Sequence, residues 1–214
     1  MAATTAHVDA HGDAHAHEVP YEQQVRANRL GLWLFCFSEI FLFGALFASR
    51  FVLWGNTRPE LSQVVGLIAT SVLLLSSFFM YRAEMAAAYG DRTRFLRSAL
   101  TAAGLGTLFF IMVVVLEWNI FGLEGTLFGI EIFGHLTTAD GVYGGVFFAM
   151  TGMHALHVLS GIFLILVIWW NGRKGMFTPE RHWGVEATAI YWHFVDVVWV
   201  FFYPALYLMG RPVG

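Results

Sequence analysis

Long apolar runs separated by short polar segments make up most of the chain after residue 29. A transmembrane helix needs about 20 mostly apolar residues, because the hydrocarbon core is about 30 Å thick and each residue advances the helix by about 1.5 Å. Since backbone groups find no water in lipid, the predicted fold class is an all-α membrane protein, a bundle of five transmembrane helices. The predicted spans are Gly31–Leu53, Leu61–Met80, Ala99–Leu116, Val142–Trp170 and Ala187–Met209.

Composition supports a membrane protein. Hydrophobic residues make up 57% of the 214 residues and charged residues only 13%. In an average soluble domain the charged share is roughly 25%. We therefore expect the chain to cross the membrane several times and to contact lipid rather than nucleic acid.

The Lys and Arg residues are unevenly distributed between alternate polar segments. Because segments rich in Lys and Arg stay in the cytoplasm, the imbalance predicts a cytoplasmic N-terminus and an external C-terminus. Arg50 lies near the outer end of the first helix, where its long side chain is expected to reach the headgroups. One side holds Arg26, Arg29, Arg82, Arg92, Arg94, Arg97, Arg173, Lys174 and Arg181, and the other holds Arg50, Arg58 and Arg211.

The first 29 residues are rich in Ala, His and Asp and contain few large apolar side chains. This composition predicts a disordered cytoplasmic tail, with residues 30–210 as the transmembrane domain. No charged stretch precedes an apolar core there, so we expect no cleavable signal peptide. A solvated tail is favoured over transient metal capture by its histidines, which are His7, His11, His15 and His17.

The segment from residue 117 to residue 140 differs from the other connections, because it contains no Lys or Arg. Acidic residues alternate there with Phe, Leu and Ile. This pattern predicts a loop that lies along the outer interface or beneath a partner protein. The acids are Glu117, Glu124, Glu131 and Asp140.

Small residues recur at four-residue spacing on several predicted helices, for example Ala99 with Ala103, and Gly141 with Gly145 and Ala149. This spacing lets helix backbones approach closely. These faces are therefore predicted to form helix contacts within the bundle.

Five ionisable residues lie within the apolar spans, where they are costly and therefore indicate a function or a buried partner. Glu39 must be protonated, paired or in contact with water, which fits either a proton relay or a polar anchor. His154 and His157 share a helix face and could hold a metal or bind Glu39, and we expect His157 to be its partner. The set is Glu39, His154, His157, His193 and Asp196.

A redox centre in this chain is not expected. Cys36 is the only cysteine, so a cysteine pair for dinuclear copper is absent. His154 and His157 on one helix cannot supply opposite axial ligands to a haem. His157 and His193 also differ in depth, at about 20 Å and about 9 Å from the cytoplasmic ends of their helices. We therefore interpret them as buried, hydrogen-bonded structural histidines and expect His193 to contact Asp196.

Three stretches together resemble subunit III of the haem-copper respiratory terminal oxidases: Ser38–Phe43, Met150–Val158 and Tyr191–Trp199. The last of these, YWHFVDVVW, is long enough to be rarely matched by chance, and the likeness runs from about Leu30 to Met209. The longer family members have seven helices, and this short form matches their last five.

This resemblance implies a cofactor-free accessory subunit of a proton-pumping oxidase in aerobic respiration, of the cytochrome c or quinol type. The enzyme would hold haem and copper in subunits I and II, include a small subunit IV, and lie in the bacterial inner membrane. The chain would carry no catalytic or metal-ligating residue and would support the catalytic subunit and proton uptake. The alternatives are a related protein that accompanies nitric oxide reductase, or a stand-alone membrane electron or proton carrier.

Family members also hold phospholipid in a cleft. Basic residues at a helix junction often bind lipid headgroups. We expect phospholipid to bind near the fourth and fifth helices at Arg173, Lys174, Arg181, His182 and Glu186.

Overall fold

The structure is a computed structural model that describes residues 20–122, 125–127, 130–131 and 133–213. Within these residues, five helices are long and apolar enough to cross a membrane, which confirms the predicted all-α bundle. Helices α3 and α5 each continue as a π-helical segment, Met112–Glu117 and Pro204–Leu208. The helices are α1 (Tyr21–Trp54), α2 (Gln63–Ala88), α3 (Arg92–Ile111), α4 (Gly141–Arg173) and α5 (Trp183–Tyr203).

The helices extend beyond the apolar spans predicted for them. Helix α1 begins at Tyr21, directly after Pro20, so residues 21–29 of the predicted tail are helical. Gln, Glu and Arg are good helix formers, and a helix that leaves the lipid no longer needs apolar side chains. The four histidines of the tail lie outside the described residues.

Short strands connect distant parts of the chain at one end of the bundle. Strand β1 (Thr57–Pro59), just after α1, pairs in parallel with β4 (Arg211–Val213) near the end of the chain. Strands β2 (Thr126–Leu127) and β3 (Ile130–Glu131) form an antiparallel pair between α3 and α4. We call the end of the bundle that carries these strands the strand end. The opposite end, where α2 meets α3 and α4 meets α5, is called the basic end.

The five helices pack unequally. Helices α2 and α3 make the most extensive contact, and α1 lies at the edge. Only four residues of α1 are buried: Cys36, Phe43, Arg50 and Trp54. Most of the apolar surface of α1 therefore faces away from the other helices.

Small residues allow close packing at fewer places than the spacing predicted. Ala99 and Ala103 are buried, as expected. Gly145, by contrast, has open space where a Cβ would lie. Close approaches between helices also occur at Gly106 and Gly161, where the ring of Trp192 fills the place of a side chain, and at Gly172, where the ring of Phe95 does so.

Candidate functional site

Glu39 of α1 and His157 of α4 face each other across a helix contact. The Oε2 atom of Glu39 lies 3.2 Å from Nε2 of His157, and the two side chains are 18% and 14% exposed. The structure therefore places His157 beside Glu39, as expected from the sequence.

The other ring nitrogen of His157 determines how protons are shared in this pair. Nδ1 lies 2.8 Å from the carbonyl oxygen of Met153, which can only accept, so Nδ1 carries a hydrogen. The contact between Nε2 and Oε2 then needs one proton, held either by the carboxyl group or by the imidazole. Glu39 and His157 are therefore joined by a hydrogen bond in which either group can be the donor.

Residues of α1, α4 and α5 surround His157. Its ring lies 4.8 Å from the ring of Phe43 and 6.5 Å from that of Tyr191, measured between centroids. The Tyr191 hydroxyl is 2.6 Å from that of Ser160, which in turn donates to the carbonyl of His157. Sequence reasoning missed Ser160 as a site residue, although its three-residue spacing from His157 places both on one face.

His154 lies in a different environment from His157. It is 1% exposed, and its ring packs against Phe109, Trp199 and Phe202. Neither ring nitrogen has a hydrogen-bond partner in the part of the chain described here. The expectation of a hydrogen-bonded His154 is therefore wrong. Three residues correspond to an offset of about 60° around a helix, which directs His154 away from Glu39.

The expected contact between His193 and Asp196 is also wrong. Nδ1 of His193 lies 2.5 Å from the hydroxyl of Ser77 on α2. Asp196 is 4% exposed, and its carboxyl group also lies near the Ser77 hydroxyl, although neither oxygen meets the geometry of a hydrogen bond among the described residues. The imidazole and the carboxyl group therefore both lie near Ser77 of α2, and not in contact with each other. A single serine within an apolar helix gave no signal for this contact.

The histidines therefore do not converge. His157 contacts α1, His154 contacts α3 and α5, and His193 contacts α2. Within the described ranges, no group of three or more His, Cys, Asp or Glu side chains could hold a metal ion. The contact of Glu39 with His157 is best described as a polar contact between two helices.

At the basic end, the expected lipid-binding residues separate into two groups. Glu186 accepts a 2.5 Å hydrogen bond from Arg29, whose guanidinium also lies over the ring of Trp183. Arg181 lies over the ring of Tyr21, and His182 immediately precedes α5. This group therefore lies beside the start of α1, a contact that the sequence did not predict.

The second group lies where α4 ends. The guanidinium of Arg173 lies over the rings of Trp169 and Trp170, and the ammonium group of Lys174 lies over Trp170. Both cations are exposed. Tryptophan and basic residues are typical of the membrane–water interface, so this group can meet headgroups directly.

Arg50 does not reach out to the headgroups as expected. It is 1% exposed, and its guanidinium donates to backbone carbonyls around it. These carbonyls lie near helix ends, where intrahelical donors are lacking, and the five N–H groups of arginine can satisfy several at once. The acceptors are Ala205 at 2.6 Å, Gly55 at 3.0 Å, Thr57 at 3.4 Å, and Met209.

The acidic segment also differs from expectation. Glu117 is buried at the end of the π-helical extension of α3 rather than placed in a loop. Glu124 lies outside the described residues, and Glu131 belongs to β3. Asp140 immediately precedes α4, and hydrogen bonds from the backbone N–H and hydroxyl of Thr137 lower the pKa of its carboxyl group.

Comparison with known proteins assigns the chain to a family. The family model described as cytochrome c oxidase subunit III matches residues 9–211. This chain belongs to the cytochrome c oxidase subunit III family. It is similar to cytochrome c oxidase subunit 3 of Thermostichus vulcanus, with 33% identity over 208 residues that cover 92% of each protein.

Longer relatives align over nearly the same part of this chain. Cytochrome c oxidase subunit 3 of Tragelaphus imberbis and that of Rhinoceros unicornis are each 33% identical over 207 residues. These alignments cover 91% of this chain and 73% of each relative. As a subunit III, the chain is an accessory subunit of a haem-copper oxidase, and thus part of an oxidoreductase complex of the membrane.

Proposed function

We propose that this subunit III supports the catalytic subunit of a proton-pumping terminal oxidase and helps to sustain proton uptake. Its partners are subunits I and II, which carry the haem and copper, together with a small subunit IV. The membrane is the bacterial inner membrane, with the basic end in the cytoplasm. The family match along almost the whole chain carries this proposal.

Helix α1 is the element through which Glu39 acts in this function. The helix buries few residues, so its position depends on a small number of contacts. Glu39 and His157 supply a polar contact between α1 and α4. Interhelical hydrogen bonds in membranes contribute about 0.6–2 kcal/mol each, enough to bias a loosely packed helix. We infer that the pair is a polar anchor and not an obligatory proton carrier.

Phospholipid is a further partner in this proposal. Arg173 and Lys174 are exposed beside tryptophan rings at the end of α4, where a lipid phosphate would meet two cations. Arg181 and His182 extend the basic surface toward the start of α1. Glu186 has a different role, because it holds Arg29 and so fixes α1 against α5.

The assignment to an oxidase complex can be tested by purifying the tagged chain in mild detergent. We expect it to bring with it a catalytic subunit that shows haem absorption and consumes oxygen. The tagged chain, separated from its partners, should contain neither haem nor stoichiometric copper. Recovery with a nitric oxide-reducing enzyme, or a haem bound tightly to the isolated chain, would contradict the proposal.

The anchor role of Glu39 predicts different results for two substitutions. Glu39→Gln keeps the size and hydrogen bonding of the side chain, so oxygen consumption and assembly should remain near wild type. Glu39→Ala leaves His157 unpaired and should weaken retention of the subunit, by about 1 kcal/mol. The measurements are oxygen uptake and the fraction of complexes that retain the subunit after detergent exchange.

Ser38→Ala is the matched control for these variants, because among the described residues the Ser38 hydroxyl bonds only to the Phe35 carbonyl of its own helix. It should behave as wild type in both assays. A fully assembled Glu39→Gln complex without turnover or pumping would show that Glu39 is an obligatory proton carrier and would refute the anchor role.

A further inference from the structure

The two π-helical segments meet at a buried hydrogen bond near the strand end. The hydroxyl of Tyr207 donates to Oε2 of Glu117. Glu117 is 6% exposed and Tyr207 is fully buried. Single turns of π-helix are frequent at functional sites. This carboxyl group belongs to neither the Glu39 contact nor the basic end, so it needs an explanation of its own.

The second oxygen of Glu117 lacks a protein partner. Oε1 is buried and has no hydrogen-bond partner in the described part of the chain. A neutral carboxylic acid has a hydroxyl group to donate, and a carboxylate has further lone pairs to fill. No cation pairs with Glu117 among the described residues, and burying an unpaired charge is costly, so the neutral acid is the favoured state. Its buried oxygen calls for a partner, and an ordered water molecule is the usual one.

A small cavity beside Glu117 could hold such a water molecule. Leu61, Ser62, Val65 and Gly134 bound it together with Glu117, and its volume is about 10 Å³. One water molecule requires roughly 10–15 Å³. Ser62 precedes α2 without making a side-chain capping bond to it, so its hydroxyl can serve a water molecule in the cavity.

The cavity adjoins a larger pocket at the strand end. Leu61, Ser62 and Gly134 line both spaces, and the larger pocket has a volume of about 450 Å³. Its other lining residues include Arg58, Glu60, His135 and Pro212. The cavity beside Glu117 therefore adjoins the larger pocket at Ser62 and Gly134, which offers water a route toward the carboxyl group.

The route ends at Glu117. Val113, one turn earlier on the same helix, is 1% exposed and belongs to the apolar core. On its far side, Tyr207 stacks on Tyr203 with 5.3 Å between ring centroids. The open space beside this carboxyl group therefore lies on the side of the strand end, whereas Val113 and the ring of Tyr207 close off its other sides.

We propose that Glu117, Tyr207 and the adjoining cavity form a water-binding site in which Glu117 holds a proton that exchanges with the aqueous phase at the strand end. The ligand is one water molecule, which accepts from the Glu117 carboxyl group and bonds to Ser62. The site is separate from the Glu39–His157 contact. Its binding of water is a property that the proposed function of the subunit does not include.

Infrared hydrogen–deuterium exchange on the purified oxidase complex tests this site. The C=O stretching band of a protonated carboxyl group shifts when deuterium replaces hydrogen. Subtracting the spectrum of a Glu117→Gln complex from that of wild type isolates the band of Glu117. We expect a protonated-acid band that shifts promptly after transfer to D₂O.

Ser62→Leu should fill the cavity and slow this shift several-fold, with the band still present. Ser71→Leu is the matched control, because Ser71 is an exposed serine of α2 outside both pockets. It should leave the rate unchanged. If Glu117→Gln does not assemble, the comparison of these two variants, each carrying native Glu117, still tests the route.

Two results would overturn the proposal. One is a difference spectrum without a protonated-acid band, which would mean that Glu117 is ionised. The other is an exchange rate that is the same in wild type, Ser62→Leu and Ser71→Leu, which would mean that the cavity does not supply the water.

Discussion

The guanidinium of Arg50 shows how one side chain can hold several chain segments together. It joins α1 to the carbonyls of Ala205 and Met209, near the end of the chain, and to those of the turn after α1. An arginine buried in this way is a structural cation whose counter-groups are backbone dipoles. Lysine cannot replace it fully, because an ammonium group lacks the planar fork of five N–H donors.

We expect Arg50→Met to lower the free energy of unfolding by about 3 kcal/mol, because several buried carbonyls lose their donor. Arg50→Lys should lie between this variant and wild type. Unfolding in mixed micelles with increasing denaturing detergent measures the effect. Arg211→Met is the control, since Arg211 is exposed at the same end, and it should change stability by no more than about 0.5 kcal/mol. Equal stability of the two Met variants would contradict the role assigned to Arg50.

Individual polar residues could be selected from the sequence, but only some of their contacts could be predicted. The pairing of Glu39 with His157 followed from two costly groups on spans that run in opposite directions. The prediction that Arg50 reaches the headgroups was wrong because its acceptors are backbone carbonyls. Every residue has a backbone carbonyl, so the sequence does not show which ones will face Arg50. His193 found Ser77 instead of Asp196 for a similar reason, because serine is common in apolar helices and gives no distinct signal.

At the scale of helices, the ring of Trp192 determines how closely α3, α4 and α5 can pack. A Cβ atom at Gly161 would lie 2.6 Å from Cε3 of this ring, and one at Gly106 would lie 2.6 Å from Cη2. The indole therefore fits between two glycines on neighbouring helices. Four-residue spacing of small residues on one helix predicts neither contact, because each glycine packs against a large side chain of another helix.

Substitutions of glycine on these helices should have opposite effects. Gly161→Ala forces the buried indole to move and should destabilise the bundle by about 1–3 kcal/mol. Gly104→Ala is the control, since no atom of the described part of the chain lies within 4 Å of its added Cβ, and alanine at a helical position is neutral or stabilising by up to about 1 kcal/mol. Thermal unfolding of the purified complex, followed by tryptophan fluorescence, measures both. A Gly161→Ala protein as stable as Gly104→Ala would show that the indole adapts easily.

The number and order of the helices could be predicted because each span must satisfy its own backbone in lipid. The helix ends could not be predicted in this way. Hydropathy falls where the lipid ends, but a helix can continue into water through residues that are good helix formers, as α1 does between Tyr21 and its apolar span. The π-helical extensions were also not predicted. Pro204 is a local sign of one of them, whereas Met112–Glu117 contains only apolar residues and one acid.

For the whole molecule, the five helices alternate in direction, so Tyr21 and Val213 lie at opposite ends of the bundle. The excess of Lys and Arg at the basic end predicts that this end is cytoplasmic. Alkaline phosphatase, which is active only after export, should be inactive when inserted after Gly90 and active when fused after Gly214. Green fluorescent protein at the same positions serves as the reciprocal control. The reverse pattern would overturn the proposed orientation.

The carbonyls that surround Arg50 also have a consequence for biosynthesis. Arg50 and Ala205 are separated by 155 residues, which a ribosome translates in about 10–30 s at roughly 5–20 residues per second. During that interval the nascent first helix carries a cation without its final acceptors, and an unpaired charge is costly in lipid. We therefore expect the newly inserted helix to rest with Arg50 at the membrane surface and to move inward only when the last residues emerge. Chains released early would keep this helix in its surface position, where a membrane protease could distinguish them from finished subunits.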